Sequence, residues 1–194
     1  MPSFIRYLSI ETVWPEARLQ NIVDDSLSID VGVTGLDAAM DKRFMDLAGY
    51  ARSCEVDGIL FTCSAFGSSI EQVQAANGDI PVLKPNEAMM EEAVARGGKI
   101  GVLSVFAPTV PSIERELLHI AEVQGRCDAV DVQVEFVPDA LAVLHAGDEA
   151  AYNEMIADAA EAMHRKTPLD VMVLAMFSMA CAGPTVEVRT WKQP

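Results

Sequence analysis

Two runs of the same make constrain the fold of this chain more than any other feature. Val56 to Gly67 reads VDGILFTCSAFG, and Leu169 to Ala180 reads LDVMVLAMFSMA. Aligning Asp57 with Asp170 sets Cys63 against Met176 at one constant offset. Each run is apolar and strand-like, meets a sulfur side chain at its end, and passes through hydroxyl and small residues into helix-forming sequence. Leu8-Ser9-Ile10 and Leu103-Ser104-Val105 echo each other too, each ahead of a Pro-containing helix start, at Pro15 and Pro111. The order of strand, hydroxyl residue and helix therefore recurs, and the chain reads as two related α/β halves.

Short β-rich runs alternate with helical spacing along the whole chain. Phe4 to Ile10, Ser28 to Thr34, Val56 to Thr62, Ile80 to Leu83, Lys99 to Ser104, Val130 to Phe136 and Asp170 to Met176 read as strands. Leu36, Met40, Phe44, Leu47, Ala51 and Cys54 recur at helical spacing, as do Val110, Ile113, Leu117 and Ile120. Such alternation predicts βαβ units and mainly parallel sheets. Pro85 leads into a helix over Asn86 to Arg96, and Gly97-Gly98 ends it as a left-handed C-cap. The boundary between halves is placed there, giving residues 1–97 and 98–184 joined by a short hinge with a cleft between them. Gly183-Pro184 breaks the helix that starts at Ser178. Residues 185–194 are read as a last strand over Thr185 to Trp191, free to return to the first half, and a polar tail that would equally suit a truncated chain.

The 194 residues carry a net charge of −15, with 51% hydrophobic and 22% charged residues, the make-up of a globular protein. That charge would repel a phosphate backbone, so nucleic acid is not an expected partner. No apolar run approaches the roughly 18 residues of a membrane span, and no basic segment with an apolar stretch opens the chain, so a cytoplasmic protein without membrane association is expected. Cys54, Cys63, Cys127 and Cys181 are widely spaced, with no CxxC and no histidine at ligand spacing. Reduced thiols, and neither a metal site nor a disulfide framework, are expected.

The common catalytic fingerprints fail. Gly97-Gly98-Lys99-Ile100-Gly101 lacks the spacing and the Ser/Thr of a phosphate loop, and no GxGxxG follows a strand. His119, His145 and His164 form no HExxH, and no GxSxG elbow is present. Cys63 stands apart, because the end of a buried parallel strand is where α/β proteins build sites, and a following helix start favours thiolate and binds anions. An inert buried thiol is the competing reading, since free cysteine is among the most buried residue types. Cys54 fits a helix stripe and Cys127 a loop.

With these residues in hand, the chain resembles the aspartate/glutamate racemase superfamily, which includes hydantoin racemases, maleate isomerases and arylmalonate decarboxylase. IGVLSVFAPTVPSIERELL, Ile100 to Leu118, is similar to the opening of that family's second half. The resemblance implies two pseudo-symmetric Rossmann-like (flavodoxin-like) halves with mainly parallel sheets and an interdomain cleft. It implies Cys63 as the catalytic thiol, with Thr62, Ser64 and Ala65 beside it holding a substrate carboxylate. Ser9 and Glu11 fall in the family's N-terminal binding loop, and Ser104 and Thr109 in the matching loop of the second half. Thr109 also suits an N-cap before Pro111. Met176, Phe177 and Ser178 stand at the second-half site.

Met176 departs from the family pattern. A racemase of this kind uses a thiol on each face of the α-carbon, and a thioether can neither abstract nor deliver a proton. Cys181, five residues on, is a poor replacement. The family also continues through another strand and helix that this sequence shortens or lacks. The implied function is a cofactor-independent racemase or isomerase acting on a small carboxylate or amino acid through Cys63, with no metal. A decarboxylase-type lyase and a catalytically lapsed anion-binding member are the alternatives. A homo-oligomer is compatible with this reading.

Overall fold

The computed structural model describes residues 14–191. Leu8-Ser9-Ile10, the expected strand Phe4 to Ile10 and the residue Glu11 lie outside them. The chain divides into two units, Met1–Pro85 and Asn86–Pro194.

In the first unit, residues 17–24 run without regular structure, so the expected helix start at Pro15 is instead a single turn, with Ala17 N–H donating to Trp14 O at 3.1 Å. Helix α1 (Leu27–Thr34) follows, then α2 (Ala38–Ser53), strand β1 (Ile59–Leu60), α3 (Gly67–Ala76) and strand β2 (Val82–Leu83), which pairs parallel with β1. Helix α2 forms where the apolar stripe predicts it. Asp37 caps it by accepting from Met40 N–H at 2.8 Å, and Met40, Phe44, Ala48 and Ala51 are its buried face. The Phe44 ring packs on Phe61 and Phe66, with centroids 5.2 and 4.8 Å apart.

Ser28 to Thr34 is a correction, being helix and not strand. Its alternating Ile29, Val31 and Val33 match a pleat, yet no described strand lies beside it to supply hydrogen bonds. Local bonds satisfy the backbone instead: Gly35, at φ 70°, closes the helix on Val31 O, and Arg43 holds both Asp24 (2.5 Å) and Asp30 (2.6 Å). None of the helix is buried.

The second unit contains α4 (Glu87–Arg96), β3 (Gly98–Ser104), α5 (Val110–Val123), β4 (Val130–Phe136), α6 (Ala140–His145), α7 (Glu149–Lys166), β5 (Val171–Leu174) and α8 (Gly183–Trp191). Its sheet is all parallel in the order β4-β3-β5, with Val102 opposite both Val134 and Val173. Successive residues of β3 face opposite sides. Ile100 and Val102 enter a cluster with Met90, Val94, Ile113 and Leu117 of α4 and α5, whereas Leu103 enters one with Tyr152, Ile156, Met163, Met179 and Val186 of α7, the following turn and α8. Helices thus cover both faces, as a continuously apolar parallel strand requires. Gly101 is small for the same reason: a Cβ there would meet Met163 Sδ at 2.7 Å.

Two expectations about organisation change. The division falls at Pro85/Asn86 and not at 97/98, because α4 buries Met90, Ala93 and Val94 against the sheet that follows it. Gly97, at φ 75°, is the expected left-handed cap, but it ends a helix inside the second unit. Thr185 to Trp191 is helix α8 and not a strand, and it stays in the second unit. Val186 is in the α7 cluster, and Arg189 pairs with Glu154 (3.1 Å), Asp158 (2.6 Å) and Glu161 (2.6 Å). Among the described residues, no helix is long and apolar enough to cross a membrane.

Candidate active site

Three strands end in one backbone pattern. Cys63 after β1 is extended (φ −135°, ψ 122°), as are Phe106 after β3 (φ −129°, ψ 103°) and Met176 after β5 (φ −137°, ψ 142°). Each is followed by a 3-10 turn, Ser64–Phe66, Ala107–Thr109 or Phe177–Ala182, that runs straight into an α-helix. The sequence echo between Cys63 and Met176 is therefore an echo of backbone conformation. The N–H groups that open such a turn have no partner within it.

At the first junction Thr62 and Cys63 are half-buried, and Cys63 is in no disulfide. Ser64, Ala65 and Phe66 are buried. Phe66 anchors the turn through its stack on Phe44, and Ser69 Oγ in the first turn of α3 donates to Asp41 Oδ1 at 2.7 Å, tying α3 to α2. That bond, followed by one from Gln72, lowers the Asp41 carboxyl from its ordinary value. The thiol sits on a turn fixed from two sides.

At the second junction Ser104 and Thr109 come together, but with each other. Their hydroxyls are 2.8 Å apart and both residues are fully buried. Thr109 Oγ1 donates to Phe106 O at 2.7 Å, and Phe106 N–H donates to Ser104 Oγ at 3.2 Å. Both hydroxyls fold the loop. Thr109 stands at the N-cap position of α5 without making a side-chain cap bond.

At the third junction Met176 is half-buried against the Leu103–Tyr152 cluster, its thioether packed on hydrocarbon. Phe177 and Ser178 are half-buried, and Ser178 Oγ lies 3.1 Å from Tyr152 OH. Asn86, buried ahead of α4, donates from Nδ2 to Ala175 O at 2.9 Å and fixes the strand end just before Met176. Burial raises the Cys181 thiol, and Glu149, through a hydrogen bond and its charge, raises it further. A thiol so held is a poor nucleophile at neutral pH.

Sequence reasoning misses Asn86 and Tyr152. Asn86 reads only as a helix start. Tyr152 carries no signal beyond its core spacing on α7. Both act across gaps in the chain, of 89 and 26 residues respectively.

A pair of α/β units whose parallel strands end in such junctions, one of them bearing a thiol, defines a class of fold and site. The family model described as Asp/Glu/Hydantoin racemase matches residues 15–185, and the chain belongs to that family. Among solved structures, the chain is similar to glutamate racemase from Francisella tularensis subsp. tularensis SCHU S4, a structure determined in complex with D-glutamate. The TM-score is 0.64 and the identity 12%, over 97% of this chain and 69% of that one. At that identity the likeness is one of fold. No curated protein sequence matches.

Proposed function

We propose that the protein is a cofactor-independent enzyme that moves a proton at the α-carbon of a small carboxylate or amino acid, with Cys63 as its base. The observation that carries this reading is the placement of Cys63: a half-buried thiol, in no disulfide, at a strand end whose following turn is anchored by Phe66 and Ser69. Membership of a family of racemases supports it.

The chemistry is one-sided. Cys63 thiolate takes the α-proton, leaving the electron pair delocalised into the carboxylate and the sulfur as thiol. The thiol then returns a proton to the same carbon, after exchange with solvent if the intermediate lives long enough. Thr62 and the backbone of Ser64 and Ala65 are the donors proposed to receive the developing negative charge. Met176, which stands where the family resemblance implies the second thiol, has no proton to exchange, and inversion needs that second thiol. In D2O the protein should place deuterium at the α-carbon without inverting it. Cys63→Ala should abolish that exchange and leave the fold intact; exchange at the wild-type rate in this variant removes the thiol from the mechanism.

A second reading is favoured by the packing of Met176 on hydrocarbon: a member that binds a small carboxylate and no longer turns it over. Ligand-induced stabilisation with no deuterium uptake is its signature.

A further inference from the structure

We propose that the free edge of β5 is the surface on which a second copy of this chain docks, the two β5 strands pairing antiparallel across a two-fold axis with their α4 helices side by side. The surface lies wholly on the second unit and asks nothing of Cys63.

The echo between the units indicates what this edge accommodates. The constant offset that aligns Asp57 with Asp170 sets β1 against β5, Ile59 against Met172 and Phe61 against Leu174. In the first unit a strand takes up these positions: Ile59 N–H donates to Pro81 O at 2.9 Å and Phe61 N–H to Leu83 O at 3.1 Å, which pairs β2 with β1. In the second unit Ala175 N–H donates to Leu103 O of β3 at 3.0 Å, so the N–H of Leu174 beside it turns the other way. No described strand receives it, since the order β4-β3-β5 leaves β5 last. An edge of this kind is a template for another strand.

The two edges of the second sheet differ. On β4, Asp131 and Glu135 alternate with valines, and two copies meeting there would oppose carboxylates. Strand β5 has no charged residue, proline or glycine, and its Val171, Met172 and Leu174 are only half-buried. Between it and α4 runs a groove of about 200 Å³, lined by Met89, Glu92, Ala93 and Arg96 on the helix side and Val171 to Val173 on the strand side. Charge selects the partner. At −15 two copies repel on the whole, and a strongly basic partner would be drawn to the surface at large. The groove departs from that balance, because its two charged residues, Glu92 and Arg96, cancel; they pair at 2.5 Å on exposed side chains. A two-fold axis makes each contact twice, residue i on j and j on i. Two α4 helices related by it run antiparallel, which brings Glu92 of each copy toward Arg96 of the other. The groove is therefore complementary to itself.

The test is the mass of the full chain in solution. Sedimentation equilibrium should show the 20.9 kDa monomer giving way to a particle of twice that mass as concentration rises through the micromolar range, as a small interface predicts. Val171→Lys sets two ammonium groups near one another across the axis and should weaken association at least about 10-fold. Arg96→Glu, on the exposed face of α4, leaves only carboxylates in the groove and should weaken it by a similar factor, about 10-fold. Adding Glu92→Arg to Arg96→Glu reverses both charges and should restore association to within about 3-fold of wild type, which a loss of helix stability would not allow. A wild type that stays monomeric, an Arg96→Glu variant that associates as wild type does, or a double variant that remains as weak as Arg96→Glu overturns the inference. Should Val171→Lys fail to fold, the two charge variants decide alone. A peptide of the sequence Ile80 to Lys84 is titrated alongside; a monomeric wild type that binds it makes the edge a seat for a strand of another source and overturns the second copy as occupant.

Discussion

Cys63 and Met176 occupy comparable places just after strands and Ser104 ends β3, yet their side chains do different work. Ser104 spends its hydroxyl on Thr109 and the Phe106 backbone, Met176 packs on hydrocarbon, and Cys63 remains half-buried on an anchored turn. Cys181 differs again, since burial and Glu149 hold it protonated. Iodoacetamide at neutral pH, with labelling read by peptide mass spectrometry, should therefore modify Cys63 before Cys181; the opposite order would contradict the assignment of the reactive thiol. Glycine positions give a second check at this scale. Gly98, at φ 79°, lies where a Cβ would run into the Asp170 carboxyl that accepts from Lys99 N–H at 2.8 Å. Gly98→Ala should lower unfolding stability by more than about 1 kcal/mol, measured in urea. Cys63 is legible in the sequence because strand, thiol and small residues are contiguous there. Tyr152 and Asn86 are not, because their partners are distant in sequence and only packing brings them near.

Elements are legible in proportion to how much of their pattern is local. Strand β4 covers the residues read for it, its Val130, Val132 and Val134 alternating with Asp131, Gln133 and Glu135, and β3 differs by one residue at its start, its residues from Ile100 to Ser104 being buried. Helices α2 and α5 follow their stripes. Strands β1 and β2 shrink to two residues each, because pairing, and not propensity, sets where a strand ends. Ser28 to Thr34 and Thr185 to Trp191 depart from the expected strands for one cause: alternation and β-branching describe a side-chain pattern, while the hydrogen-bonding neighbour that makes a strand comes from tertiary structure. Leu117 on α5, fully buried against β3, should cost about 2–5 kcal/mol on Leu117→Ala. Asp148 caps α7 by accepting from Ala151 N–H at 3.0 Å, and Asp148→Ala should cost about 1 kcal/mol. Thermal or urea unfolding reads both, and a loss at Asp148 as large as that at Leu117 would contradict the dominance of the second-unit core over its helix caps.

For the whole molecule, acid stability follows from paired carboxyls in the first unit. Asp24, Asp41 and Asp79 lie below their ordinary value of 3.8 in the folded state, held chiefly by Arg43, Ser69 and Arg52 respectively. Depressed carboxyls stabilise the fold fully above about pH 5, and that contribution disappears as pH falls through their lowered values. The melting temperature should hold from pH 7 to about pH 5 and fall below it, and Ser69→Ala should lessen the fall. At this same scale the chain keeps the family's two-unit α/β plan but bears a thiol at Cys63 and a thioether at Met176. The most direct measurement is α-deuteration of D- and L-glutamate and D- and L-aspartate in D2O, with Cys63→Ala alongside and chirality analysed on the recovered amino acid. One-sided thiol chemistry predicts deuterium at the α-carbon of at least one probe, configuration retained, and none with the variant. No deuterium in any probe, exchange that survives Cys63→Ala, or inversion as fast as exchange would contradict it.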